Sequence, residues 1–220
     1  MSYQIAIDGP AGAGKSTIAK EIAKQLDFIY VDTGAMYRAM ALYLLRREIP
    51  VDDSEQISAA SQKADITIAY KNGLQQVLLD GENVTSFLRT EEVGNMASVS
   101  SANPDVRKKL VELQRILASR ENVVMDGRDI GTCVLPKANV KVYLTASTAC
   151  RAKRRYDELT AKGEVCDLDV IEADIAKRDH QDMTREHSPL RQAEDAVLLD
   201  SSDLTIREVV ERILALVKER

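Results

Sequence analysis

Gly9, Gly14, Lys15 and Ser16 follow the spacing glycine, four residues, glycine, lysine, hydroxyl, which suits a polyphosphate. Glycines let the backbone curl until successive N–H groups point inward onto an anion. A helix starting directly after such a loop adds partial positive charge at its N-terminus. Lys15 is then placed to reach the β and γ phosphates of a nucleoside triphosphate, and Ser16 to offer a hydroxyl to Mg²⁺. The whole stretch Gly9, Pro10, Ala11, Gly12, Ala13, Gly14, Lys15, Ser16 and Thr17 is the candidate ATP site. A second carboxyl-bearing stretch, Val123-Val124-Met125-Asp126, ends an apolar run on the acid expected to assist Mg²⁺ in such a site. Gly127-Arg128-Asp129-Ile130-Gly131-Thr132 follows at once. It sets an arginine and an aspartate where open α/β sheets carry their ligands, or else forms a plain solvated turn. Arg38 is the only charge in the apolar run 35–45. It either meets an anion or snorkels to water. Arg151, Arg154 and Arg155, and further on Arg178, Asp182 and Arg185, fall at helical spacing. They form either a solvated face or a mobile arginine-bearing hairpin over the phosphate loop.

These residues need elements to hold them. Ile5-Ala6-Ile7 reads as a buried strand before the loop, and Ile18, Ala19, Ile22, Ala23 and Leu26 as the inner face of a helix after it. A strand at 28–31 and a turn at Asp32-Thr33-Gly34 lead into a helix over 35–45. Between residues 65 and 89 the period changes to alternation. Asn72-Gly73 and Asp80-Gly81 are hairpin signals, predicting a small antiparallel meander inserted into the α/β body. Asn103-Pro104 opens a helix to about 119, as N-cap and first helical residue. Strands follow at 123–126, 140–144 and 196–199. Two helices separated at Gly163 occupy 147–191, and Thr205 with Glu208 caps a final amphipathic helix. The expected architecture is α/β: a five-stranded parallel sheet with helices on both faces, an antiparallel β insert and a helical lid. The expected division is a core of 1–62, 104–147 and 190–220, an insert at 63–103 and a lid at 148–189.

Composition narrows the function. The chain has 220 residues, 45% hydrophobic and 30% charged, with no apolar run of membrane-spanning length. The first residues run almost straight into a strand without a basic or apolar leader, so a cytoplasmic protein is expected. Three cysteines and two histidines without metal-ligand spacing point to free thiols. A net charge of −5 argues against a nucleic-acid backbone as partner and for a compact polyanion. There is no Asn-Lys-x-Asp guanine-reading motif and no Leu-Ser-Gly-Gly-Gln signature. Extra arginines around a second site fit in-line phosphoryl transfer, which neutralises charge on donor and acceptor together. A small phosphotransferase is the reading from chemistry. Its rivals are a kinase for another small acceptor, such as shikimate or a different nucleoside monophosphate, and a slow ATP-hydrolysing switch.

Five segments together, GPAGAGKST (9–17), DTGAMYR (32–38), the meander, DGRDIGT (126–132) and RDHQDMTR (178–185), resemble the bacterial cytidylate (CMP) kinases. The resemblance runs through essentially the whole chain. The phosphate loop is shared by many families; the second and fourth segments are far more specific. The resemblance implies transfer of the ATP γ-phosphate to CMP or dCMP with Mg²⁺ required, in a monomer of pyrimidine nucleotide metabolism. It implies catalytic roles for Lys15, Arg128 and Arg185, and metal-holding roles for Ser16 and Asp126. It further implies that Arg38, Arg128 and Arg185 hold the acceptor phosphate and that Ser98, Arg107 and Asp129 read cytosine. Arg178 and Asp182 would contact the sugar, and Thr33 would lie in the CMP site, where either hydroxyl residue serves. Ser98 and Arg107 carry no signal of their own.

Overall fold

The computed structural model describes residues 2–71 and 73–219. Asn72, one of the two residues of the first predicted hairpin turn, lies outside them. In chain order the elements are β1 (Gln4–Asp8), α1 (Lys15–Leu26), β2 (Ile29–Asp32), α2 (Thr33–Arg46), α3 (Ser54–Lys63), β3 (Ile66–Lys71), β4 (Leu74–Leu79) and β5 (Glu82–Asn83). Then come α4 (Glu91–Ser100), α5 (Pro104–Arg120), β6 (Val123–Gly127), β7 (Val140–Thr145), α6 (Thr148–Ala161), α7 (Leu168–Thr184), β8 (Val197–Asp200) and α8 (Ile206–Lys218).

The five-stranded parallel sheet is present, in the order β2-β6-β1-β7-β8. In β1, Ile5, Ala6 and Ile7 are fully buried, and in β6 every residue is buried. Strands covered on both faces need such unbroken apolar runs. The register pairs Asp8 with Gly127, so the phosphate loop and the Arg128-Asp129 stretch leave neighbouring strand ends on the same edge of the sheet. The predicted meander is the antiparallel sheet β3-β4-β5, with Gly73 and Gly81 at positive φ in its turns.

The chain forms two compact units. One is Val31–Glu121 together with Ser2; the other is Tyr3–Tyr30 with the chain from Asn122 onward. In the first, Met36, Met40, Tyr43 and Leu44 of α2 pack with Ile66, Leu79 and Leu110 in one apolar cluster. Asn103 ties two of its helices together. Its Oδ1 accepts from the Asp105 and Val106 N–H groups at the start of α5, while its Nδ2 donates to Ser54 and Ser58 of α3. In the second unit, Ile18 and Ile22 of α1 meet Val209, Val210 and Ile213 of α8 over Ile5, Ile7, Val142 and Leu144. Each such buried side chain is worth about 1.5–3 kcal/mol of transfer free energy. The capping box of α8 forms as predicted: Thr205 receives the Glu208 N–H, and Glu208 reaches back to the Thr205 N–H.

Two local expectations are corrected, and two helices are added. Thr33 and Gly34 are helical rather than a turn, because the Asp32 side chain accepts the Ala35 N–H at 2.8 Å and starts α2 two residues early. Arg185 is not on a face of α7 but just past its end. α3 and α4 were not foreseen as helices, although Asp53 and Thr90 cap them with an acidic residue in each first turn.

Candidate active site

The phosphate loop has the backbone its glycines require. Gly9, Gly12 and Gly14 all have positive φ, and a Cβ on Gly9 would stand 1.9 Å from the Leu144 carbonyl oxygen of β7. Gly14 precedes α1 with no side-chain cap, so the first N–H groups of that helix have no side-chain acceptor of their own. The Lys15 ammonium is buried and donates to the Pro10 carbonyl at 2.6 Å. Burial and then the positive charge of Arg128 bring its pKa down from 10.5 to about 7, opposed by Asp126, Asp8 and Asp182.

Ser16 Oγ donates to Asp126 Oδ2 at 2.8 Å, and Tyr30 donates to the other carboxylate oxygen at 2.9 Å. A hydroxyl against a carboxylate is a hard-oxygen pair. Among the described residues no group of three His, Cys, Asp or Glu could cage a metal ion. Hard oxygens of this kind fit Mg²⁺, which is usually held by one or two protein oxygens with phosphates and waters completing the shell.

Asp8, absent from the sequence-derived candidates, closes the loop's leading strand onto the next one. Its buried carboxylate accepts the Ile130 N–H at 2.8 Å and the Gly131 N–H at 2.7 Å, fixing the start of the short π-helical turn Ile130–Val134 that follows Asp129. Burial pushes its pKa up from 3.8 to about 6, with these two hydrogen bonds opposing the rise. Its position at the carboxyl end of β1 was the one signal available in the sequence.

Beyond that turn lie paired charges. Arg128 Nε donates to Asp182 Oδ2 at 2.7 Å. Arg185 donates to the Ser188 carbonyl, lies 3.5 Å from Asp129 and 3.8 Å from Asp182, and is almost buried. Arg178, on the same helix as Asp182, is exposed. The structure thus joins Arg128, Asp129, Asp182 and Arg185 in one charge network. Two of the arginines in the expected lid segment are held by the protein itself. Arg151 is buried and donates to the Ala11 carbonyl and to Asp179, and Arg154 donates to Ser201.

In the other unit, Arg38 pairs with Asp32 at 3.1 Å, the same carboxylate that caps α2. The anion that offsets Arg38 in the structure is therefore its own N-cap residue. Gln75 of β4 holds that residue in turn, accepting the Asp32 N–H at 2.8 Å and donating to its carbonyl at 3.3 Å. Thr33 is buried. Arg107 is buried, donates to the Ser101 carbonyl at 3.2 Å and lies over the Tyr37 ring. Ser98 is exposed on α4, its carbonyl taking the Ser101 hydroxyl.

Comparison with known proteins agrees over the full length. The family model described as "Cytidylate kinase" matches residues 5–219. A protein of Desulfitobacterium hafniense (strain Y51) named cytidylate kinase is 51% identical over 219 residues, covering 100% of this chain and 94% of its own. One of Geobacillus sp. (strain WCH70) with the same name is 48% identical, covering 100% and 98%. Among solved structures, an uncharacterized protein from Eubacterium ventriosum aligns with a TM-score of 0.54 at 12% identity, covering 100% of both chains. A gluconokinase from Sinorhizobium meliloti 1021 aligns at 0.50 and 14%, covering 99% of this chain and 92% of its own. At such identities the structural likeness speaks for the fold alone.

Proposed function

Since the chain belongs to the cytidylate kinase family, we propose that it transfers the γ-phosphoryl group of ATP to CMP or dCMP, yielding CDP or dCDP and ADP. The observation that carries this reading is the phosphate loop itself, with Gly9, Gly12 and Gly14 at positive φ and Ser16 bonded to Asp126 at 2.8 Å, in a chain that the family model matches over residues 5–219. The Arg128 charge disfavours a second cation at Lys15, and the negative charge that develops on a phosphoryl group in flight stabilises both. Residues 9–17 cradle the triphosphate, and Lys15 exchanges the Pro10 carbonyl for phosphate oxygens. Ser16 and Asp126 hold Mg²⁺, which supplies charge neutralisation on the donor phosphates when bound.

Arg38, Arg128 and Arg185 take the acceptor phosphate, each leaving or sharing its aspartate partner. Asp129, with acceptors only, and Arg107, with donors only, read the N4 amino group and N3 of cytosine, with Ser98 beside them. Arg178 and Asp182 contact the sugar, and Thr33 lines the same site. The insert 63–103 completes the acceptor site, and the helices of 148–189 close over the reactants to exclude water, against the alternative of a fixed charged face. A cytoplasmic monomer serving pyrimidine nucleotide metabolism completes the reading. No helix among the described residues is long and apolar enough to cross a membrane.

The test is turnover with ATP, Mg²⁺ and each nucleoside monophosphate in turn, with shikimate as a further acceptor, and separation of the products. CDP and dCDP are expected as the main products. A better rate with another acceptor, or ATP hydrolysis alone, refutes the assignment.

A further inference from the structure

Arg151 sits in a charged run at the start of α6, where an arginine on a solvated face is the ordinary outcome. Its side chain is instead only 4% exposed. Each of its three nitrogens donates: Nε to the Ala146 carbonyl at 2.9 Å, one terminal nitrogen to the Ala11 carbonyl at 3.0 Å, and the other to Thr148 Oγ1 at 3.2 Å and Asp179 Oδ2 at 2.6 Å. The stem also lies under the phosphate loop. A Cβ built on Gly12 would stand 3.3 Å from Arg151 Cβ and 3.7 Å from Cγ. The middle of the loop therefore rests on this one side chain, with Asp179 of α7 anchoring its far end.

Packing alone does not call for that arrangement. Burying an ion pair forfeits the hydration of both charges, and apolar residues of the same volume often serve stability as well or better. Here one carboxylate oxygen, Asp179 Oδ1, is buried with no donor. What the planar guanidinium supplies is direction: several bonds in a fixed fork, one of them to a loop carbonyl. All three of its nitrogens are engaged by these acceptors.

We propose that Arg151 is a positioning residue for the donor half of the reaction: with Asp179 as its anchor, it holds Ala11 and Gly12 so that the phosphate loop keeps the curvature that receives a triphosphate. This rests on residues 9–17 being the ATP site. The acceptor side supplies an internal control, because Asp182, although also on α7, makes its own bond to Arg128.

The experiment separates positioning from stability. Arg151→Met/Asp179→Leu removes both charges and leaves no lone buried ion, so its melting temperature should equal or exceed that of the wild type. If the pair positions the loop, the KM for ATP and the Kd for a non-hydrolysable ATP analogue both rise about tenfold or more, while the KM for CMP stays within about twofold. Arg151→Lys keeps the charge but not the fork, and should raise the KM for ATP severalfold while lowering the melting temperature, because one nitrogen cannot serve the Ala146 and Ala11 carbonyls and Asp179 together. Wild-type affinity for ATP in the double variant, or an equal rise in KM for both substrates, overturns the proposal. If the double variant does not fold, Arg151→Lys decides: a wild-type KM for ATP there overturns it as well. Lys15→Met is measured in parallel. If that variant binds and uses ATP normally, the reading of residues 9–17 fails, a result distinct from failure of the Arg151 role.

Discussion

Asp8→Asn removes a titrating group from the junction of β1 and the turn after Asp129 while keeping the shape of the side chain. The native carboxyl titrates at about 6 against an ordinary 3.8. Between those values the folded protein holds a proton that the unfolded chain has released. This group's favourable contribution is therefore fully present below 3.8 and is lost as pH rises through about 6. Across the whole window it amounts to about 3 kcal/mol, at 1.36 kcal/mol per pH unit. Between pH 8 and pH 5, one unit below the native value, it amounts to about 1.4 kcal/mol. The amide also loses one of the two backbone hydrogen bonds, at about 1–3 kcal/mol, but that cost does not vary with pH. The quantity to measure is thus the difference in unfolding free energy between variant and wild type, by denaturant titration at pH 5 and at pH 8. The variant should stand about 1.4 kcal/mol better relative to wild type at pH 8 than at pH 5. A change smaller than about 0.5 kcal/mol would mean that Asp8 does not carry a raised pKa, and the account of a costly buried carboxylate at this junction would be wrong.

Lys15→Met should lower turnover by more than about a hundredfold, since a donor aimed at developing charge is lost. Because the wild-type ammonium titrates near 7 rather than 10.5, wild type gains stability as pH rises between those values, so any stability advantage of the Met variant should be largest near pH 6 and shrink toward pH 10. Gly9→Ala would drive a methyl into the Leu144 carbonyl; soluble yield or thermal unfolding should show a loss of more than about 3 kcal/mol, and near-native stability would refute the loop geometry. Asp129→Asn should shrink the ratio of kcat/KM for CMP over UMP, because an amide can donate to the uracil O4 as well as accept; an unchanged ratio with both activities surviving would remove Asp129 from base reading.

Local chemistry made much of this protein legible in its sequence. The phosphate loop, the five core strands, the meander, the Asn103-Pro104 helix start and the Thr205–Glu208 capping box are each set by residues close together in the chain. Their signals are turn glycines, caps and hydrophobic period, which need no distant partner to operate. That Ser16 and Asp126 lie together, 2.8 Å apart, was legible for a related reason: side chains at neighbouring strand ends of an α/β sheet gather at one place. The partner of each charge was not legible. Asp32 reads as a turn residue and proves to be both the helix cap and the ion-pair partner of Arg38. Arg151 and Arg178 look alike in a charged helical run, yet one is locked beneath the phosphate loop and the other faces water. Asp8 looks like any residue before a glycine loop until the register of β1 against β6 brings it to the Ile130 and Gly131 amides. Partners range from 6 positions away, for Arg38 and Asp32, to 28 for Arg151 and Asp179 and more than a hundred for Asp8 and its two amides, and sequence spacing does not say which of these will meet. Which groups can react was therefore written locally, whereas their charge state and orientation were decided by the tertiary structure, because desolvation and Coulomb interaction act through space rather than along the chain.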